Sequence, residues 1–256
     1  MLARLRAHAR AVAARSHVPY SRAPAGAAVL FADGTWTAAP RIENASFPLS
    51  IPAIQGTLAL AALLHKPAVA LALSRPVGAS DLADAEHVLG GSWDSPAPEI
   101  AMLTGQAPPI VGDPAPLTLT LPPPPSVADG AALAVAAAGD AVVPASHFPV
   151  GAIVEDASGH LAAGANVEVV QDWTRGLCAE RTALVKARAS GLGPIRRIYV
   201  ACVKVPGGTP CGACRQVLAE LAPDAEVVIW QGTDRPEITT TSALLPGAFG
   251  GNALTG

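Results

Sequence analysis

Cys178-Ala179-Glu180-Arg181-Thr182-Ala183 is answered further on by Pro210-Cys211-Gly212-Ala213-Cys214-Arg215-Gln216, and the chain is organised around this pair of segments. Each falls where a helix should begin. Cys211 and Cys214 are three apart, so in a first helical turn both sulfurs can face one point. Cys178 opens the apolar-periodic run Ala183, Leu184, Ala187 and brings a third thiol from a second helix start. Helix N-termini favour anions, which lowers thiol pKa values and prepares thiolates for a divalent metal. Three protein ligands leave the fourth tetrahedral position of Zn²⁺ open for water, the catalytic rather than the structural arrangement. Glu180, two residues after the first ligand, can then move protons without ligating. The competing interpretation is a closed structural site or unrelated buried cysteines. A closed site needs a fourth ligand, and the only other thiol is Cys202, inside the run 197–203, which reads as a buried strand.

A Cys-x-Glu followed by Pro-Cys-x-x-Cys is the signature of zinc deaminases, here with three cysteines as ligands. The wider strings of residues 178–183 and 210–216 resemble those of cytidine deaminases. The resemblance implies a three-layer α/β/α fold with a mixed sheet. It also implies one Zn²⁺ per chain on Cys178, Cys211 and Cys214, and a zinc-bound hydroxide that attacks C4 of cytosine. Glu180 would protonate N3 and then the departing N4 amine, and Arg181 would hydrogen-bond the sulfurs. By residue type alone, Arg181 is an ordinary helix arginine.

The chain also repeats itself. Residues 18–43 laid over residues 143–168 at an offset of 125 give 11 identities in 26 ungapped positions, from Val18 to Glu43. Both stretches read as hairpins turning at Gly34 and Gly159. After a one-residue gap Cys178-Ala179-Glu180 meets Pro52-Ala53-Ile54, and Pro210 to Cys214 meets Pro76-Val77-Gly78-Ala79-Ser80. The first copy therefore lacks every ligand and the carboxylate. The expected fold is two tandem α/β copies: a degenerate domain over 1–107, a Pro-rich linker over 108–127 and a catalytic domain over 128–256. In the second copy a helix is expected from Cys178 to about Ser190, then a strand over 197–203. A helix from Cys211 to about Leu221 and a strand over 226–230 follow.

Further site residues come from the resemblance alone. Phe148 in Phe148-Pro149-Val150-Gly151-Ala152 would pack beside the pyrimidine. Asn166 and Glu168 of Asn166-Val167-Glu168 would bind the base edge and ribose, with Ala179 beside them. By type, Phe148 is ordinary core and Asn166 a turn residue. Single-domain members continue this string as Asn-Ala-Ser-aromatic. Here the first copy keeps that piece, Asn44-Ala45-Ser46-Phe47, while the second reads Val169-Val170-Gln171-Asp172-Trp173. In the family four subunits share residues between sites. The implied arrangement is thus a homodimer of four domains, in which Ala45, Phe47 and Phe249 complete active sites.

Composition narrows the alternatives. The 256 residues are half apolar, carry a formal charge of −3 and hold only 14% charged residues. No basic block lies beyond Arg15, which disfavours a nucleic-acid partner. No apolar run is long enough to span a membrane, and Met1 to Arg15 reads as a short amphipathic helix. Four cysteines with no disulfide framework suggest a reducing cytoplasm. The expected activity is deamination of cytidine and 2′-deoxycytidine in pyrimidine salvage. The alternatives are a related deaminase acting on a nucleotide or a cytosine-bearing antibiotic, a polynucleotide editor, and a nucleoside-binding pseudoenzyme.

Overall fold

The computed structural model describes residues 1–108, 115–116, 121–124, 126–205, 207–232, 235–251 and 254. Most of the segment 108–127, the expected linker, lies outside them. In chain order the first copy holds α1 (Leu2–Ala13), β1 (Gly26–Phe31), β2 (Thr35–Pro40) and a 3-10 turn at Phe47–Leu49. It continues with α2 (Ala53–Ala62), β3 (Ala68–Leu73), α3 (Ala79–Leu89), β4 (Trp93–Ala97), β5 (Ile100–Leu103) and β6 (Ala115–Pro116). The second copy holds α4 (Val127–Ala137), β7 (Gly151–Asp156), β8 (Leu161–Ala165) and a 3-10 turn at Trp173–Arg175. After these come α5 (Ala179–Ser190), β9 (Ile195–Ala201), α6 (Gly212–Leu221), β10 (Glu226–Trp230), β11 (Glu237–Thr240) and α7 (Thr241–Leu244).

Two compact units result. One comprises Met1–Ile42, Ile51–Thr118 and Val169–Gly176; the other comprises Glu43–Ser50, Leu119–Glu168 and Leu177–Gly256. The segment 43–50 leaves the first unit through an antiparallel bridge between Ile42 and Ile51, and 169–176 leaves the second near a bridge between Val167 and Leu177. The duplication is therefore legible in the loops as well as in the sheets.

In the second unit the sheet order is β11-β10-β9-β7-β8. It is mixed, because β9 and β10 run parallel while every other neighbouring pair is antiparallel. Alternate residues sort cleanly to two apolar faces, as the pleat requires. Ala152, Val154, Ile198, Val200, Val227 and Ile229 meet α5 and α6, whereas Ile153, Tyr199, Ala201 and Val228 meet α4. Two covered faces make three layers. The strand expected over 197–203 runs two residues earlier and stops at Ala201. The backbone amide of Cys202 still donates to the Trp230 carbonyl at 2.8 Å, and its side chain is buried.

The first unit has the order β4-β5-β3-β1-β2-β6, with β6 parallel to β2 and the other pairs antiparallel. Here the two copies part. After α3, Gly90 and Gly91 both adopt positive φ, +76° and +71°. That double turn sends β4 to the sheet edge, and β5 returns antiparallel beside β3, whereas β10 runs parallel beside β9.

Two glycines explain why both copies begin alike. A Cβ on Gly26 would lie 2.0 Å from the Ala9 carbonyl oxygen, and one on Gly151 would lie 2.0 Å from that of Ala134. In each copy the opening helix rests directly on strand backbone at this point, and only glycine permits that approach. The hairpin glycines Gly34 and Gly159 take φ of +82° and +88°, as their turns demand.

Candidate active site

Helix α5 starts where its sequence directs. Cys178 is the N-cap, in extended conformation, and Gly191 ends the helix in the left-handed region at φ +76°. Helix α6 begins in the same way, with Cys211 as an extended N-cap and Cys214 at the third helical position. A further close approach sets the start of α5. A Cβ on Gly164 of β8 would lie 2.3 Å from the Ala183 amide nitrogen and 2.8 Å from the Ala179 carbonyl oxygen.

These two helix starts bring three thiols together. The sulfurs of Cys178, Cys211 and Cys214 all lie within 4.8 Å of one another, and those of Cys178 and Cys211 are 3.7 Å apart. Metal–sulfur bonds of about 2.3 Å in a tetrahedron place sulfurs ~3.8 Å apart, so the spacing suits a zinc ion. The donor set fits too: Cys211 is held well below the ordinary thiol range by hydrogen bonds from the Cys178 and Cys214 thiols. One sulfur of the three thus favours the thiolate, the state in which cysteine ligates, while the same hydrogen bonds push Cys178 and Cys214 up.

Glu180 occupies the second position of α5 and is 3% exposed. Burial pushes its carboxyl above the ordinary range, against hydrogen bonds from its own amide and the Cys214 thiol. That shift favours the protonated carboxyl, the direction that general acid–base work needs. Arg181 extends Nη2 to within 3.8 Å of the Cys178 sulfur. Burial opposes its charge, and the three sulfurs outweigh that cost. Its Nε is buried without a hydrogen-bond partner. Ala179, fully buried, packs in the core beneath.

Phe148, Asn166 and Glu168 form a second hydrogen-bonded group in the same unit. Asn166 accepts from the Val150 amide through Oδ1 at 2.8 Å and donates from Nδ2 to the Phe148 carbonyl at 2.9 Å. Glu168 accepts from the Ala145 and Ser146 amides at 3.0 and 3.1 Å and from the Ser146 hydroxyl. Burial raises the Glu168 carboxyl, but the Ser146 hydroxyl and these amides prevail and hold it below its ordinary range. His147 takes φ +53°, and its equivalent Arg22 in the first copy takes +54°. The kink ahead of Phe148 thus belongs to the fold in both copies.

Ala45 and Phe47 lie in segment 43–50, which counts with the second unit. Ala45 is buried and donates its amide to Glu220 Oε2 at 2.7 Å, whereas Phe47 is 83% exposed. Phe249 is half exposed, and its carbonyl accepts from Gln216 Nε2 at 2.7 Å. Arg215, beside Cys214, donates to the carbonyls of Pro210 and Leu244 and to the Thr209 hydroxyl. Glu220 and Gln216 are not singled out by the sequence. Gln216 stands inside the quoted string, but its partner is a backbone carbonyl that no pattern announces.

The corresponding place in the first unit is filled by an ion pair. Asp81 at the third position of α3 accepts from the Gly78 amide at 2.8 Å and takes both Arg75 terminal nitrogens at 2.7 Å. Among the described residues, only Cys178, Cys211 and Cys214 form a cluster able to hold a metal.

Comparison with known proteins agrees with this geometry. A family profile described as "Cytidine and deoxycytidylate deaminase zinc-binding region" matches residues 128–231, and a second so described matches residues 2–71. The cytidine deaminase of Halalkalibacterium halodurans is 43% identical over 120 residues, which are 45% of this chain and 88% of that protein. The chain belongs to the cytidine deaminase family. The cytidine deaminase of Sporosarcina psychrophila is 38% identical over 111 residues, 43% of this chain and 80% of that one. Among solved structures, the cytidine deaminase of Burkholderia pseudomallei matches with 38% identity and a TM-score of 0.46, covering 48% of this chain and 99% of that one. The stretches aligned with the Halalkalibacterium and Sporosarcina proteins each amount to one copy's worth of chain. As a cytidine deaminase family member the present chain is double, and its second copy carries the three clustered cysteines.

Proposed function

We propose that this chain hydrolyses cytidine and 2′-deoxycytidine to uridine and 2′-deoxyuridine, in pyrimidine salvage. Residues 128–256 carry the catalysis, and residues 1–107 form a non-catalytic copy joined through 108–127. The observation that carries this proposal is the meeting of three sulfurs within 4.8 Å beside a buried Glu180.

Cys178, Cys211 and Cys214 would hold one zinc per chain, and zinc, when bound, supplies Lewis acidity to the attacking water. Glu180 takes a proton from that water and delivers it to N3 of the base, which makes C4 electrophilic. As the C4–O bond forms and the C4–N4 bond breaks, the same carboxyl passes the second water proton to N4, and ammonia leaves. Arg181 offsets the charge of the sulfurs. Phe148 flanks the ring, and Asn166 and Glu168 meet the base edge and the ribose. The hydrogen bonds that these two make to the 145–150 loop hold them oriented before substrate arrives.

Assembly as a homodimer, four domains with two sites, is supported by two exposed aromatics at equivalent 3-10 turns. Phe47 is 83% exposed and Trp173 is 63% exposed. In that dimer Ala45, Phe47 and Phe249 complete the substrate site. None of the four cysteines forms a disulfide, which suits a cytoplasmic enzyme. Among the described residues no helix is long and apolar enough to cross a membrane. The decisive experiment is ultraviolet-monitored turnover of cytidine with zinc counted per chain. A folded, zinc-loaded chain without turnover overturns the proposal.

A further inference from the structure

Segment 43–50 is built as a rigid display. Glu43, Asn44 and Ala45 are buried at 3%, 3% and 4% exposure, and two residues later Phe47 stands 83% exposed. Within it, Ser46 donates its amide to Asn44 Oδ1 at 2.9 Å and Asn44 donates its amide to Ser50 Oγ at 3.2 Å. Leu49 closes the turn by donating its amide hydrogen to the Ser46 carbonyl at 2.8 Å, and it packs on the core shared by Val217 and Leu218 of α6. The internal bonds fix the shape of the segment, and Leu49 seats one end of it on that core.

Its other end is held by a carboxylate. The Ala45 amide donates to Glu220 Oε2 at 2.7 Å, across 175 residues of sequence. Glu220 lies on α6, the helix that opens with Cys211 and Cys214 and carries Gln216, the donor to the Phe249 carbonyl. One helix therefore holds two of the clustered cysteines at its start and, along its length, the attachment points of the segments that carry Phe47 and Phe249. A carboxylate suits this role, because it binds a backbone amide strongly and demands nothing of the side chain at position 45.

We infer that Glu220 is a positioning residue, which registers the Ala45–Phe47 segment against α6 and so sets the affinity for nucleoside. This rests on the proposal that Ala45 and Phe47 line a substrate site. The test uses the full zinc-loaded chain with Glu220→Ala, Glu220→Gln and Phe47→Ala. Glu220→Ala should raise KM for cytidine roughly tenfold, as loss of one charged hydrogen bond implies. Its kcat should stay within about twofold, since no contact to the reacting atoms is lost. Glu220→Gln keeps an acceptor oxygen and should restore most of the affinity. Amide exchange at Ala45 should quicken in Glu220→Ala while β7 and β9 stay protected. An unchanged KM in folded, zinc-loaded Glu220→Ala overturns the inference, as does a loss of kcat and zinc together. Phe47→Ala separates the two ideas. An unchanged KM there removes the segment from the site, whereas a raised KM there with an unchanged KM in Glu220→Ala removes only Glu220.

Discussion

Asp81 holds in α3 the position that Cys214 holds in α6: each is the third residue of its helix. A helix N-terminus attracts negative charge, and the two copies place different residues there. In α6 it is Cys214, one of the three clustered thiols. In α3 it is a carboxylate clamped by Arg75. Where the second copy gathers sulfurs, the first has an ion pair.

This ion pair makes the first unit sensitive to acid. Burial alone would raise Asp81, but Arg75 and the Gly78 amide hold its carboxyl below the ordinary value. A depressed folded pKa contributes stability that is fully present above the unfolded value of about 3.9 and lost as pH falls through the folded value. Asp81→Asn should destabilise the chain by roughly 1–2 kcal/mol at neutral pH, discounted because Arg75 is half exposed. It should also flatten the acid limb of the stability profile. Denaturant titrations at several pH values provide the measurement, and an unchanged acid limb would count against the pair.

Metal analysis should find one zinc per chain. Cys211→Ser should lose both zinc and activity, because its sulfur lies 3.7 Å from that of Cys178. Cys202→Ser should keep both. Two zinc ions per chain would contradict the assignment of the first copy as metal-free.

Replacing Glu180 with Gln should preserve zinc and nucleoside binding while turnover falls by about 10²–10⁴-fold or more, the contribution of general acid–base catalysis. Steady-state kinetics beside metal analysis would read this out. Near-normal turnover removes Glu180 from the mechanism.

Phe47→Ala should raise KM for cytidine and leave the thermal midpoint where it is, since an 83% exposed ring adds little to any core. A lower midpoint with normal KM would assign Phe47 a purely structural role.

Gly164→Ala tests the packing beneath the site. The added carbon would stand 2.3 Å from the Ala183 amide and 2.5 Å from Thr182 Oγ1, so the start of α5 must shift. We expect a loss of roughly 1–3 kcal/mol in stability and weakened zinc retention. Full stability and tight zinc would show that β8 and α5 can part at no cost.

The three cysteines, the carboxylate and the duplication could be read from the chain directly, because each depends on local chemistry. Cys178 and Cys211 had to be helix caps for their sulfurs to converge, and the spacing to Cys214 is a property of a single helical turn. Gly26 and Gly151 marked equivalent positions in both copies, although the helix carbonyls they accommodate could not be seen in sequence. In sequence the Gly-Ala pair sets Ser80 opposite Cys214, whereas the helix caps Gly78 and Cys211 set Asp81 there. Likewise, the sequence alone showed that segment 43–50 had kept its aromatic, while only the tertiary structure assigned that segment to the second unit and gave it Glu220 as an anchor. The reason is physical. Periodicity and capping act over a few residues and leave a pattern, whereas a backbone amide meeting a carboxylate 175 residues away leaves none.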